Sequence, residues 1–343
     1  MEMDDGLSKA AEKVLREDRG YYFEAYSSLQ SHEVMIRDRV RTMAYKRAIE
    51  LNKRLFQEKI VLDVGCGLGI LSLFAASAGA KKVIGIDASD ITVHTEDVIQ
   101  NSPFDNIVIV RSKVEELDEL PDGIKKVDII ISEWMGVCLY HESMLGTVLY
   151  ARDKWLKKDG LLFPDTVHFY LACMEDNKRQ SNAFNKWNSV CGFNLNPLLD
   201  VIYDEPVQKI INADQVVTDC ELIHVLNLHT ATSDYPFTAD FSLKVQRNSS
   251  CNIGGFVTYF DAVFSHCHKP VILTTSPFSA PTHWRQTSFY LRDPIPVQSG
   301  DEITGKFNLS QFKHNFRDLE IQINGNHIGQ QSGKKFNTRF ILR

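Results

Sequence analysis

The sequence predicts two domains in series: an α/β domain built on a parallel sheet, followed by an antiparallel β domain. The first prediction depends on buried apolar runs that alternate with helical segments, beginning with residues 59–65 and 81–87. The second depends on alternating strands that turn residues separate, from about residue 166 onward. Because the pattern changes at Pro164, we put the domain boundary there.

The amino-terminal part of the chain is predicted to be helical. Residues 7–56 mix Glu, Lys, Arg, Ala and Leu without proline, and apolar positions recur at helical spacing from Ser31 to Leu55. Such a segment can pack one face against a following domain.

A strand–turn–helix–strand unit opens the α/β domain. The run KIVLDVG, residues 59–65, ends in glycine, and a small-residue helix over residues 71–79 leads to a second buried strand over residues 81–87. This order implies parallel strands with helices over the sheet. Further strands are predicted over residues 106–112, 126–132 and 159–165.

The second domain is predicted to be a barrel or sandwich of antiparallel strands. These strands include residues 166–173, 220–228, 241–247, 254–264, 286–291 and 319–325. Between the first two lies an aromatic segment, about residues 178–213, with few strand signals. We prefer an arm that buries its aromatic side chains against another subunit; packing on its own domain is the alternative.

The composition indicates which classes of protein to exclude. The chain has 343 residues, 43% of them hydrophobic, no apolar run long enough to span a bilayer and no apolar leader, so we expect an intracellular protein. The seven cysteines lack CxxC spacing, which favours reduced thiols and predicts no metal site. A net charge of −6 disfavours nucleic acid and favours basic partners.

A glycine-rich turn follows the first strand and predicts the first ligand. Its alternate glycines are Gly65, Gly67 and Gly69. Ile70 stands where a dinucleotide fingerprint would have its last glycine, while Asp63 suits a ligand with a cationic end. Asp87 ends the second strand, where a carboxylate can accept hydrogen bonds from both ribose hydroxyls. The combination predicts S-adenosylmethionine; NAD and a purely structural turn are the alternatives.

Two carboxylates flank the loop after the strand of residues 126–132. Glu133 and Glu142 would repel each other if brought together without a cation. A planar guanidinium can bind two carboxylates bidentately, which predicts an arginine-like methyl acceptor. The alternative is a pair of solvated acids on the surface.

Several motifs, in this order, resemble the type I protein arginine N-methyltransferases, and among them the predominant asymmetric-dimethylating kind. These are YFEAY at residues 22–26, VLDVGCGLG at 61–69, SEWMG at 132–136 with ESML at 142–145, and Thr282-His283-Trp284. The resemblance covers nearly the whole chain from about Tyr21. It implies a Rossmann-like S-adenosylmethionine-dependent methyltransferase domain, then an antiparallel β-barrel domain with a helical dimerisation arm.

The resemblance also implies roles for individual residues. Glu133 and Glu142 would hold the substrate arginine, and His283 would meet Asp38 to orient the site or accept a proton. The acceptor pocket would be shaped by Tyr26, Met35, Met144 and Trp284. Donor contacts would come from Tyr22, Phe23, His32, Arg41, Asp63, Gly65, Gly67, Gly69, Asp87, Val114 and Glu115, with Arg41 on the donor carboxylate.

The same resemblance implies an organisation and partners. Residues 1–40 would be helices covering the donor site, 41–164 the donor-binding domain and 165–343 the barrel, with the arm at about 178–213. We expect arginine-rich basic protein substrates, including histones and Gly/Arg-rich RNA-binding proteins. We also expect a homodimer or larger oligomer, or a heteromer with a paralogue, without direct nucleic-acid or membrane contact. Cytoplasm and nucleus are the expected compartments.

Four positions depart from the family pattern. Leu68 stands where Thr is usual, Asp87 where Glu is usual, Val137 where Tyr is usual, and His141 where an aromatic residue is usual. These changes motivate one alternative, a catalytically weak scaffold or regulatory paralogue. A second alternative is a methyltransferase acting on small guanidino compounds.

Overall fold

The computed structural model describes residues 26–142, 144–177, 186–232, 237–312, 315–329 and 333–343. Tyr22, Phe23 and the helices predicted before residue 26 lie outside this part, as do residues 178–185 of the predicted arm. Within it the α-helices are α1 (Leu29–Arg37), α2 (Arg39–Glu50), α3 (Lys53–Phe56), α4 (Ile70–Ser77), α5 (Thr92–Gln100), α6 (Leu145–Trp155) and α7 (Leu199–Asp204). Single 3-10 turns span Val114–Glu116, Pro121–Gly123, Asn196–Leu198 and Ala213–Gln215.

The helical segment before the first strand is interrupted at Asp38. This residue has extended backbone angles, φ −68° and ψ 94°, and it ends α1 and caps α2. Its carboxylate accepts the Arg41 amide at 3.0 Å, as an N-cap aspartate does. Helix α2 then packs Tyr45 into the core, where its ring centroid lies 5.0 Å from that of Phe264.

A five-stranded parallel sheet forms the first domain. Its strands are β1 (Ile60–Val64), β2 (Lys82–Asp87), β3 (Ile107–Arg111), β4 (Val127–Ser132) and β5 (Leu156–Phe163). Their order is β3-β2-β1-β4-β5, so β1 is central and the chain reverses direction across the sheet between β1 and β4. Ligands bind at the carboxyl ends of strands beside such a reversal.

Two antiparallel sheets form the second domain, and they confirm the predicted fold class. The strands are β6 (Thr166–Met174), β7 (Val207–Lys209), β8 (Glu221–Asn227), β9 (Phe237–Lys244), β10 (Cys251–Phe264), β11 (Val271–Thr274), β12 (Gln286–Val297), β13 (Glu302–Phe312), β14 (Asn315–Ile328) and β15 (Lys335–Leu342). The six-stranded sheet runs β7-β12-β10-β6-β8 with β11 beside β10, and the four-stranded sheet runs β15-β14-β13-β9. Phe307 of the smaller sheet lies against Phe169 and Phe289 of the larger, at centroid distances of 6.0 and 6.3 Å.

Strand β13 was not among the predicted strands, and a glycine in its middle explains why. Gly305 pairs with Gly325 of β14. A Cβ on Gly305 would lie 2.9 Å from the Gly325 Cα and 2.1 Å from the Asn324 carbonyl oxygen, so the close pairing requires glycine. This glycine interrupts the alternation of apolar residues that predicts a strand.

The described part of the predicted arm has two different environments. Phe193 is 72% exposed, whereas Ile211 is buried with Val207 and Tyr203 against the outer face of the six-stranded sheet. Strand β7 pairs with β12 in that sheet. The carboxyl-terminal part of the arm therefore packs on its own domain. The contact of the rest of the arm with another subunit stays a prediction.

All seven cysteines are free thiols, as the sequence predicted. Among the described residues, no helix combines the length and apolar character that a membrane crossing requires.

Candidate active site

A cavity of about 890 Å³ opens at the carboxyl ends of the central parallel strands. Its walls come from three parts of the chain: helix α1 with the start of α2, the loops after β1, β2, β3 and β4, and the second domain. The second domain contributes Trp284 and Arg317, among others. The site therefore lies where both domains and the amino-terminal helices meet.

The glycine turn adopts a conformation that needs glycine. Gly65, Gly67 and Gly69 have φ angles of 71°, 50° and 78°, in the left-handed region. A Cβ on Gly67 would lie 3.0 Å from the His32 ring, so the predicted donor residue His32 closes over the turn. Gly65 and Gly67 line the cavity, so their backbone faces a ligand there, which fits the predicted nucleoside.

Asp87 is held in a fixed orientation beside this turn. Its Oδ2 accepts the Gly67 amide at 3.0 Å, and its Oδ1 accepts the Ser89 amide at 2.9 Å and the Ser89 hydroxyl at 2.7 Å. Val114 and Glu115 line the same end of the cavity. An ordered carboxylate beside a glycine turn suits ribose hydroxyls, and the resemblance assigns the adenine contacts to Val114 and Glu115.

Two of the predicted donor residues that the structure describes do not line the cavity. One is Gly69, the last glycine of the turn, and the other is Asp63. It is fully buried, and its Oδ2 accepts the Ser72 hydroxyl of α4 at 2.7 Å. Burial raises the pKa of Asp63 to about 7, although the Ser72 hydrogen bond lowers it. Because the Asp63 side chain points toward α4, it does not meet a cationic ligand in the cavity. It links β1, which precedes the turn, to the helix that follows the turn.

Glu133 and Arg41 form a buried ion pair in the cavity wall. The Arg41 Nε donates to Glu133 Oε2 at 2.9 Å, and Arg41 Nη1 donates to the Met35 carbonyl oxygen at 3.1 Å. The Glu133 Oε1 is buried without a hydrogen-bond partner among the described residues. A buried carboxylate oxygen of this kind calls for a donor, and a guanidinium supplies one.

Glu142 lies in the same cavity, and its backbone is left-handed with φ 81°. The Tyr26 hydroxyl donates to Glu142 Oε2 at 2.6 Å. Burial raises the pKa of Glu142, and the charge of Glu133 adds to this, whereas Tyr26, Arg317 and His283 oppose it. The charge of Glu133 thus disfavours that of Glu142, as expected for a carboxylate close to another one.

The predicted pocket residues also line the cavity. Met35 and Met144 both do so, and a Cβ on Gly65 would lie 2.4 Å from the Met144 Cε, which shows how closely that side chain covers the turn. Trp284 is 4% exposed, and its indole nitrogen donates to the Met135 carbonyl oxygen at 2.7 Å. These side chains give the cavity an apolar wall beside the two acids.

His283 and Asp38 join the second domain to the amino-terminal helices. Both the His283 Nδ1 and the His283 amide lie 2.8 Å from Asp38 Oδ2. Burial alone would raise the pKa of Asp38, but the hydrogen bonds from His283 and Arg41 outweigh it and lower that pKa. The contact is the one that the resemblance implied.

We expect Asp38→Ala to lower the free energy of unfolding by about 2 kcal/mol, because it removes the α2 cap and the bonds from His283. Since the pKa of Asp38 is lowered, its stabilisation is present at neutral pH and is lost only as pH falls through that lowered value. Urea denaturation should therefore show the same difference at about pH 8 and about pH 5. The exposed Asp240, paired with Lys306 at 2.6 Å, gives the control Asp240→Ala. Equal stability of the two variants would contradict the proposed link.

The departures from the family pattern fall in two places. Leu68 and Val137 line the cavity, whereas His141 does not and instead lies 4.0 Å from Asp318 of the second domain.

The sequence did not predict Arg317, which lines the cavity from β14. No local motif marks it, because its contact with Glu142 spans 175 positions of the sequence.

Comparisons with known proteins agree with this geometry. Residues 165–330 match a family model described as the arginine methyltransferase oligomerization subdomain, and residues 47–141 match ribosomal protein L11 methyltransferase. Protein arginine N-methyltransferase 1 of Caenorhabditis elegans is 44% identical over 94% of this chain and 92% of its own. The enzyme of the same description from Dictyostelium discoideum is 43% identical over 94% of both chains.

Solved structures give the same result. The protein arginine N-methyltransferase 1 enzyme–prozyme heterotetrameric complex of Trypanosoma brucei with S-adenosylhomocysteine has a TM-score of 0.89 and 38% identity, covering 93% of this chain and 100% of that one. Protein arginine methyltransferase 10 of Arabidopsis thaliana has a TM-score of 0.84 and 30% identity, covering 93% and 99%.

A glycine turn with a fixed acid at the end of β2, at the reversal point of a parallel sheet, is typical of a nucleoside-binding site. With the matches above, it places the chain among the S-adenosylmethionine-dependent methyltransferases. Within this class of methyltransferases, the paired acids and the second domain distinguish one family. The chain belongs to the protein arginine N-methyltransferase family. It transfers a methyl group from S-adenosylmethionine to a guanidino nitrogen of protein arginine.

Proposed function

We propose that this enzyme is of type I and forms monomethylarginine and asymmetric dimethylarginine. The observation that carries the proposal is the pair of buried acids, Glu133 and Glu142, in one cavity with Met35 and Met144. Two acids can hold one side of a guanidinium and leave one terminal nitrogen toward the donor. The methionine walls support repeated transfer to that same nitrogen.

The proposed substrates are arginines in basic protein segments, such as Gly/Arg-rich RNA-binding proteins and histone tails. The net charge of −6 attracts such segments. A glycine-rich segment has little side-chain bulk beside the arginine, so little hinders the guanidinium from entering the cavity. We propose the cytoplasm and nucleus as the compartments, where these substrates are found.

We propose that the chain works as a homodimer or larger homo-oligomer. The match of residues 165–330 to an oligomerization subdomain supports this, as does the exposed Phe193 in the described part of the arm. A heteromer with a paralogue is a further form, since the trypanosome relative is an enzyme–prozyme complex.

Product analysis tests the type. The enzyme is incubated with labelled S-adenosylmethionine and an arginine–glycine peptide, and the hydrolysed peptide is separated into its methylated arginines. We expect monomethylarginine first and asymmetric dimethylarginine later. A peptide with lysine in place of arginine is the matched control and should stay unlabelled. Symmetric dimethylarginine, or a monomethylated product alone, would contradict type I.

The alternative of a catalytically weak regulatory paralogue has one observation in its favour: Leu68 and Val137 both line the cavity and both depart from the family pattern. Calorimetry with S-adenosylhomocysteine separates the two functions. The enzyme should bind this product and transfer methyl groups, whereas a scaffold that has lost the donor site should do neither.

A further inference from the structure

The loop of residues 136–142 is folded back tightly on itself. The His141 amide donates to the Val137 carbonyl oxygen at 3.1 Å. A Cβ on Gly136 would lie 1.7 Å from the His141 carbonyl oxygen, so the closure requires glycine. The loop reaches Glu142 in a left-handed conformation, which an L residue keeps only when its surroundings hold it.

Arg317 of the second domain holds Glu142 on both sides of its backbone. The Glu142 amide donates to the Arg317 carbonyl oxygen at 3.1 Å, and the Arg317 Nη1 donates to the Glu142 carbonyl oxygen. Arg317 is itself anchored, since its amide donates to Asn315 Oδ1 at 3.1 Å. Asn315 in turn donates from Nδ2 to Asp318 Oδ1 at 3.1 Å, and both side chains are buried.

The charge of Arg317 also acts on the Glu142 carboxylate. The titratable or charged groups that face this carboxylate are Tyr26 before α1, Glu133 after β4, His283 before β12 and Arg317 on β14. Burial raises the pKa of Glu142, and Arg317 is one of the groups that lower it. Arg317 therefore favours the ionised form that a guanidinium needs.

We propose that Arg317 is a positioning residue for methyl transfer: it fixes the backbone of Glu142, so that the carboxylate faces the substrate guanidinium. The inference rests on the proposed function, because it needs Glu142 to hold the substrate. Through Arg317 the second domain also acts on one of the paired acids, besides lining the cavity. A displacement of about 1 Å at a group that aligns a substrate can lower the rate about 100-fold.

The test compares Arg317→Ala, Arg317→Lys and the wild-type enzyme. The control is Arg339→Ala on β15 of the same sheet, whose side chain pairs with Glu320 on the surface at 2.7 Å. Thermal unfolding confirms that each variant is folded, and calorimetry measures S-adenosylhomocysteine affinity. We expect Arg317→Ala to lower kcat roughly 10- to 100-fold and to leave product affinity within about twofold.

The pH profile of kcat separates positioning from a merely structural role. Loss of the charge in Arg317→Ala should raise the pKa of Glu142 further, so activity should begin to rise at a higher pH than in the wild type. Arg317→Lys keeps the charge but not the fork, so its kcat should fall while its acid limb stays near that of the wild type. Suppose that the Arg317→Ala enzyme is folded and that its kcat and the acid limb of its pH profile both match the wild type. This result would overturn the inference and leave the proposed function standing. A wild-type enzyme without transfer would overturn the proposed function as well.

Discussion

Glu133→Gln is expected to lower kcat for methyl transfer by roughly 1,000-fold, because one amide nitrogen replaces an acceptor that the guanidinium needs. The carboxylate has one oxygen on Arg41 and one that is buried without a partner in the described part of the chain. Glutamine has nearly the same shape, so packing of the wall is kept. Single-turnover transfer to an arginine–glycine peptide measures the effect, with calorimetry to follow S-adenosylhomocysteine affinity.

The affinity for S-adenosylhomocysteine distinguishes an action of Glu133 on the substrate from an action through Arg41. The side chain also holds Arg41, which the resemblance assigns to the donor carboxylate. If Glu133 works on the substrate, affinity for S-adenosylhomocysteine should change by less than about tenfold while kcat falls. A loss of affinity in proportion to the loss of rate would mean that Glu133 acts through Arg41. Glu119→Gln is the matched control, since Glu119 is an exposed carboxylate paired with Lys125 at 2.9 Å.

The chemistry that the site must supply is mostly alignment. The pKa of arginine is above about 12, so no carboxylate of the cavity can deprotonate the guanidinium before transfer. The bound donor supplies a methyl group on a sulfonium. In the proposed function Glu133 and Glu142 hold the acceptor, and charges fixed in such a cavity can stabilise the transition state without reorganising. Proton loss therefore follows or accompanies the methyl transfer, and Glu142 and His283 are the proposed late acceptors.

The parallel sheet and the donor turn could be predicted from sequence because their signals are local. The run ending at Gly65 and the run ending at Asp87 became β1 and β2, and the Gly67 amide meets the Asp87 carboxylate. When buried strands that end in glycine or an acid alternate with helices, a parallel sheet covered by helices is one of the few folds open to the chain. The acids after β4 were predictable for the same reason, since parallel strands end at one edge.

The rest of the site depends on contacts that no local pattern encodes. The helical spacing from Ser31 to Leu55 gave no sign of the break at Asp38, whose carboxylate is bound by a histidine 245 positions away. Asp63 precedes the turn and was expected in the cavity, but alternation along β1 points it toward α4. Arg317 reaches the site only because the second domain folds over it.

Glu142→Gln is expected to act in opposite directions on activity and stability. It should lower kcat roughly 100-fold, because the amide cannot bind the guanidinium as an anion. It should also raise the free energy of unfolding at neutral pH. Burial, with the charge of Glu133, raises the pKa of Glu142 above its ordinary value of 4.5, which shows that the folded state disfavours the ionised form. Urea denaturation and kcat, each measured from about pH 4 to pH 8, test both effects.

The sign of the stability effect follows from proton linkage. Glu142 with a raised pKa contributes stability that is fully present below its unfolded value and is lost as pH rises through the folded value. Glutamine stays neutral throughout, so the two proteins should be equally stable at low pH, and the variant should become the more stable one as pH rises. The wild-type kcat should rise over the same interval, because the proposed contact with the substrate needs the ionised acid, and this is the form that weakens the fold. Active sites commonly carry such a conflict between stability and function. A variant that is less stable at every pH would show that Glu142 serves the fold, and that its bond to Tyr26 outweighs its burial.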